Sequence, residues 1–225
     1  MKLLYTGKTK DVYDKGDGTY ILALKDDATG KDGVFDPGEN AVALSIEGLG
    51  RASLALTRYF FERLAGANIP THYIDSDLDA VTMQVRPATV FGQGLEFVCR
   101  VAADGSFVRR YGAYVKPGVP LDFLVEVTLK DDAREDPLIT KDALVTLGIL
   151  SAEEYETCKA YTQKITKLIA DVLAAKGLSL HDIKFEFGKC DDEILLIDEI
   201  SGGCMRVSKD GQAVSPMDLA KLILA

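Results

Sequence analysis

The sequence has no tryptophan, only two histidines and four cysteines among 225 residues. With His72 and His181 alone, a Ser-His-Asp or Cys-His nucleophile is poorly supplied. Cys99, Cys158, Cys190 and Cys204 form no C-x-x-C pair, and no histidine lies near them at zinc spacing. They read as free, partly buried thiols of a reducing cytoplasm. No apolar run approaches the roughly 18 residues of a membrane span. The first five residues turn polar too early for a signal peptide. Positive charge is also short, with 26 Lys and Arg against 35 Asp and Glu, a net charge of −9. That balance argues against the positive field of non-specific nucleic-acid binding. It still permits a local cluster of cations around an anionic small molecule. The expected protein is cytoplasmic, with neither nucleic acid nor membrane as partner.

What is present is a globular composition, 47% apolar and 27% charged. The length suits one large domain or two small intimate ones. Residues 3–5, 11–13 and 20–24 read as strands, the last two joined by a Lys15-Gly-Asp-Gly18 turn. Residues 26–47, rich in Gly and Asp, read as a long loop. Leu56, Tyr59, Phe60 and Leu64 predict a helix over 51–65. Strands follow at 71–74, 80–86, 95–101 and 121–130, with a hairpin return through Phe107 and Val108 after Asp104-Gly105. Ser151 and Glu154 have capping-box spacing, opening a helix over 151–176 that Gly177 ends. Strands first and helices later predict α+β rather than alternating β-α-β units.

The stretch from His181 to Glu199 carries the most chemistry. Strand alternation puts Asp182, Lys184 and Glu186 on one face and Ile183, Phe185 and Phe187 on the other. A hairpin turn centred near Asp192 would set Glu186 opposite Asp198. Two facing carboxylates repel unless a cation lies between them, and oxygen ligands without His or Cys favour Mg²⁺. An ordinary amphipathic hairpin with a solvated charged face fits the same pattern. Gly7-Lys8-Thr9-Lys10 lacks the earlier Gly of a Walker A loop. It can cover phosphates or be a solvated basic turn. Arg100, Arg109 and Arg110 can hold a phosphate or carboxylate, or form an exposed basic hairpin. His72 reads as a packed or surface histidine, and His181 as peripheral.

Read together, these segments resemble the SAICAR synthetase family. The resemblance lies in Leu4-Tyr-Thr-Gly-Lys-Thr-Lys-Asp-Val-Tyr13, Ala67-Asn-Ile-Pro-Thr-His72 and Glu96-Phe-Val-Cys-Arg-Val-Ala-Ala-Asp-Gly-Ser106. It continues in Val125-Glu-Val-Thr-Leu-Lys-Asp-Asp132 with Asp136-Pro137, and in Lys184-Phe-Glu-Phe-Gly188 with Asp198-Glu-Ile-Ser201 and Arg206. The resemblance implies an α+β fold, with a small N-terminal antiparallel-sheet lobe over 1–86, similar to the nucleotide lobe of kinases. A larger α/β lobe over 87–225 would hold substrates and metal. It implies ATP and Mg²⁺ as cofactors, with L-aspartate and a carboxylated aminoimidazole ribotide as substrates, joined through an acyl phosphate to give SAICAR, ADP and phosphate.

By the same resemblance Gly7, Lys8, Lys10, Lys130 and Glu186 bind ATP, and Glu186 and Asp198 hold Mg²⁺. Lys184 offsets charge on the reacting carboxylate, with Asp182 beside it in the catalytic pair. Arg100, Ser106 and Arg206 bind the anionic substrates. A homodimer is also implied. The sequence departs from the family pattern at Leu49-Gly-Arg-Ala-Ser53, at Val101 and at Gly202-Gly203. These departures motivate one alternative, an amide ligase on the same scaffold with a different acceptor; the others are a non-catalytic nucleotide-binding homologue and a kinase-like phosphotransferase that releases a phosphorylated product.

Overall fold

The computed structural model describes residues 1–39 and 41–225, and its chain divides into two compact units. The first comprises Met1–Thr89, Ile197–Cys204 and Ser215–Ala225, and the second Val90–Leu196 and Met205–Val214. The predicted single boundary after residue 86 therefore does not describe the chain's path, because two later segments return to the first unit.

The first unit opens with β1 (Lys2–Thr6), β2 (Lys10–Asp14) and β3 (Tyr20–Leu24), a meander of antiparallel strands. The predicted loop over 26–47, Asn40 lying outside the described residues, is instead largely a small antiparallel sheet. It consists of β4 (Asp27–Lys31), β5 (Val34–Phe35) and β6 (Val42–Ser45). Glycine made the stretch look irregular, yet Gly30 serves the sheet: a Cβ there would stand 1.9 Å from the carbonyl oxygen of Val34.

Helix α1 (Leu49–Gly66) follows and buries Leu54, Leu56, Phe60, Phe61 and Leu64 at helical spacing. Its Gly48 N-cap has no side chain to offer. Asp26 from far back in the chain supplies the cap, accepting from Gly48 N at 3.0 Å and Gly50 N at 2.9 Å. β7 (Tyr73–Asp77) and β8 (Thr82–Val85) complete a five-stranded sheet of order β1-β2-β3-β8-β7.

The second unit is built on a sheet in which β10 (Leu95–Ala102) pairs antiparallel with β11 (Pro120–Leu129) at one edge and with β12 (Ser179–Cys190) on its other side, and the short β9 (Thr89–Val90) and β13 (Glu193–Ile197) pair on β12. β14 (Met205–Lys209) and β15 (Gln212–Ala213) extend the other edge. The predicted return strand after Asp104 is a helix, α2 (Gly105–Tyr111), because the Asp104 side chain caps Gly105 N instead of turning a hairpin. A short helix α3 (Lys141–Thr146) precedes α4 (Ala152–Ala175), whose Ser151–Glu154 capping box forms as predicted. α4 lays Cys158, Thr162, Ile165, Ile169 and Leu173 against the sheet, where Tyr155 and Tyr161 meet Phe97 and Phe187.

The last helix, α5 (Pro216–Leu224), packs on α1 in the first unit and buries Leu219, Ala220 and Ile223. Among the described residues no helix is long and apolar enough to cross a membrane. The four cysteines are free, and burial pushes the thiols of Cys99 and Cys158 up to about 11 and about 12.

Candidate active site

In the first unit the turn between β1 and β2 holds Gly7, Lys8 and Lys10. Gly7 N donates to Lys10 O at 2.8 Å, and a Cβ at Gly7 would stand 2.8 Å from that same oxygen. Only glycine lets this turn close so tightly. Lys25 ties it to its neighbours, donating to Gly7 O at 2.9 Å and pairing with Asp11 at 2.6 Å.

The Lys10 ammonium donates to the carboxylate of Asp198 and lies 3.7 Å from Glu199. Asp198 has a positive φ of 68°. It lies one residue beyond β13 and so leaves the ladder. The turn between β12 and β13 is the pair Asp191-Asp192, centred between these residues rather than on Asp192. The expected placement of Asp198 across a ladder from Glu186 is therefore not how the chain runs; the two residues belong to different units.

His72 secures the Asp198 segment. Its ring is buried at 4% exposure, and Nε2 donates to the Asp198 carbonyl at 3.0 Å. Burial is the main cause that pushes its pKa down to about 4, so the imidazole is neutral near pH 7. Thr57 donates to Ile200 O at 3.2 Å, and Ser201 Oγ donates to Glu199 at 3.1 Å while accepting from Gly203 N at 3.0 Å.

The polar face of the second unit's sheet gathers the other predicted residues. Register places Glu96, Val98 and Arg100 of β10 opposite Glu186, Lys184 and Asp182 of β12, and Asp182 opposite Arg206 of β14. The alternate face carries Ile183, Phe185 and Phe187, all buried, as alternation predicts. Arg100 is 4% exposed and uses three nitrogens at once: Nε donates to Glu126 at 3.0 Å, Nη1 to Asp182 at 2.7 Å and Nη2 to Ser106 at 2.8 Å.

Arg206 donates to both oxygens of the same Asp182, at 3.1 and 2.9 Å. One buried carboxylate thus orients two guanidiniums. Lys184 donates to Glu96 at 3.1 Å, and Lys130 donates to Glu186 at 2.5 Å. Burial pulls the Lys184 pKa down, but the charge of Glu96 and its hydrogen bond outweigh this, and the net direction is up. Lys184 is therefore a fixed cation at neutral pH rather than a base.

Several members of this array escaped the sequence reading. Glu96 shares the face of Arg100 four residues on, a spacing that could have revealed it. Glu126 stands on β11 with Thr128, and Arg110 reaches it from α2 at 2.5 Å. His181, taken for peripheral, lies within β12 and bridges Asp104 and Ser208.

Residues 3–221 match the family described as SAICAR synthetase. The phosphoribosylaminoimidazole-succinocarboxamide synthase of Clostridium tetani is 58% identical over 226 residues, covering all of both chains. The synthase of the same name from Finegoldia magna is 39% identical over 92% of this chain and 85% of its own. A solved SAICAR synthetase in complex with ADP matches with a TM-score of 0.82 at 30% identity, over 93% of this chain and 86% of that one. A lysine-bearing glycine turn, a sheet face of paired acids and guanidiniums, and a match along nearly the whole length lead to one conclusion: the chain belongs to the SAICAR synthetase family.

Proposed function

We propose that the chain joins L-aspartate to a carboxylated aminoimidazole ribotide at the expense of ATP, giving SAICAR, ADP and phosphate, in the cytoplasm and as a homodimer. The observation that supports this most is the pair of guanidiniums, Arg100 and Arg206, oriented by one buried carboxylate within a chain of net charge −9. A guanidinium held in a fixed orientation, as Arg206 is by Asp182, suits substrates that bring a phosphate and several carboxylates.

In this reading ATP is held by Gly7, Lys8 and Lys10 of the first unit and by Lys130 and Glu186 of the second. Arg100, Ser106 and Arg206 bind the anionic substrates, Arg206 more directly because Arg100 is almost wholly committed to protein partners. Asp182 orients both guanidiniums. Glu186 of the second unit and Asp198 of the first would each offer Mg²⁺ a hard carboxylate oxygen, and each accepts from an ammonium, the kind of partner a divalent cation would replace. The ion would neutralise phosphate charge when bound.

A carboxylate is a poor electrophile, and transfer of the γ-phosphoryl group onto its oxygen cures this. The P–O bond to ADP breaks as the P–O bond to the carboxylate forms. The aspartate amine then attacks the acyl carbon, a C–N bond forms, and phosphate leaves with the electrons of the C–O bond while the amine gives up a proton. Lys184 holds a permanent positive charge beside the reacting carboxylate through both steps. Such transfer asks for positioning and charge stabilisation rather than a protein nucleophile.

The test is ADP release by purified protein with Mg-ATP, the ribotide and L-aspartate, leaving out each component in turn, Mg²⁺ included. Dependence on all, with a succinyl-carboxamide product, is expected. Turnover that persists without L-aspartate would overturn the ligase reading.

A further inference from the structure

An Asp-His-Ser relay lies beside the Arg206 guanidinium, and none of its three members belongs to the binding residues described above. His181 Nδ1 stands 2.7 Å from Asp104 Oδ2, and Nε2 stands 2.8 Å from Ser208 Oγ. Strand alternation alone would turn His181 to the apolar face with Ile183. The ladder between β12 and β14 instead shifts register, pairing Leu180 with Val207 and Asp182 with Arg206. His181 is the extra residue of this bulge, and the bulge re-aims its side chain.

The relay is not a hydrolytic triad. Ser208 is 7% exposed, which leaves its hydroxyl too buried to meet a substrate as a nucleophile.

What the relay touches is the slot of Arg206. Asp104 uses one oxygen for His181 and the other for Gly105 N at 2.7 Å. Gly105, with φ 49°, presents its bare Cα to Arg206; a Cβ there would stand 2.6 Å from the guanidinium carbon. The next residue, Ser106, accepts from Arg100. Ser208 shares a face of β14 with Arg206, two residues away. His181 therefore clamps together the start of α2, which walls the guanidinium, and the strand that carries it. Its chain neighbour Asp182 holds the same guanidinium by two hydrogen bonds.

We infer that His181 is a positioning residue for the anion-binding subsite of Arg206, acting through Asp104-Gly105 on one side and Ser208 on the other. It touches no substrate. It fixes the guanidinium's orientation, so its loss is felt where an anionic substrate meets Arg206. The inference rests on the ligase reading for the identity of that substrate.

The experiment compares wild type with His181→Ala, His181→Asn and Ser208→Ala, measuring kcat and the KM for the carboxylated ribotide, L-aspartate and ATP. His181→Ala should raise the KM of the ribotide or of L-aspartate about tenfold, the value of one lost hydrogen bond to a charged group, with the KM for ATP unchanged. His181→Asn keeps a donor where Nδ1 stands and should restore that KM to within about threefold of wild type. Ser208→Ala should shift the same KM by less.

An unchanged acid KM in His181→Ala, an equal rise in the KM for ATP, or no rescue by His181→Asn would each overturn the inference while leaving the ligase reading intact. Calorimetry with the ribotide and with L-aspartate repeats the comparison without turnover. Wild-type protein that binds either acid but does not ligate would refute the ligase reading alone, and the His181→Ala affinity then decides the inference. Wild-type protein that binds neither acid would refute both.

Discussion

At the scale of the residue, two basic side chains of one type have different duties. Arg100 is nearly inaccessible and neutralises Glu126 and Asp182, carboxylates of 9% and 5% side-chain exposure. Arg100→Ala leaves Asp182 with Arg206 and Glu126 with Arg110, but it removes three hydrogen bonds from a buried site and should cost about 3 kcal/mol in urea unfolding. Arg206→Ala leaves Asp182 with Arg100, so it should cost less in stability but raise the KM of an acidic substrate at least about tenfold. Equal stability losses with no KM difference would contradict this division. His72 supplies a second prediction. A native histidine near 4 against 6.5 unfolded means that unfolding takes up a proton in that window. Its contribution is complete above about pH 6.5 and drains as pH falls to about 4, by on the order of 3 kcal/mol in all. His72→Gln should be less stable than wild type at pH 7, and the gap should narrow by pH 5. A gap constant across that range in urea titrations would show that the histidine is not buried neutral.

At the scale of the element, distant residues finish what local sequence begins. α4 carries its own cap in Ser151 and Glu154, so its start was legible from spacing alone. α1 does not: Gly48 cannot cap, and Asp26, 22 residues earlier, accepts from two of its first backbone amides. Asp26→Ala should cost about 1–2 kcal/mol. Asp26→Asn, which keeps one acceptor oxygen, should recover part of that loss. Thermal unfolding of the two variants, ranked the other way, would exclude the cap. The same distance explains the misread stretch over 26–47. Its strands are short and glycine-bearing, with little periodicity to read, and they form because β4 finds partners on both sides. The α2 segment was misread for a local reason: Asp104-Gly105 signals a hairpin as strongly as a helix start, and only the bond from Gly105 N to the Asp104 carboxylate decides between them.

At the scale of the molecule, the first unit is discontinuous in sequence. Its α1 is covered by α5, and its His72 is satisfied by the carbonyl of Asp198. A fragment ending at Thr89 lacks both and should show no cooperative unfolding transition. A sharp thermal transition with dispersed amide resonances would show that the N-terminal meander and α1 suffice. Activity is likewise a whole-chain property, since the proposed nucleotide- and acid-binding residues are drawn from segments spread over most of the sequence.

Composition, element order and alternation by themselves determined that the chain is α+β and that Asp182, Lys184 and Glu186 share a strand face backed by aromatic residues, while the resemblance to one family rested on its ordered motifs. These are properties of local period and residue type, which a chain carries wherever it goes. Only the tertiary structure decided that Asp198 leaves its ladder to meet Lys10, that one aspartate orients two arginines, and that His181 faces Asp104 and Ser208. A bulge, a left-handed residue and a strand register are set by packing among distant segments, and moving one of them by a single residue turns a side chain to the opposite face.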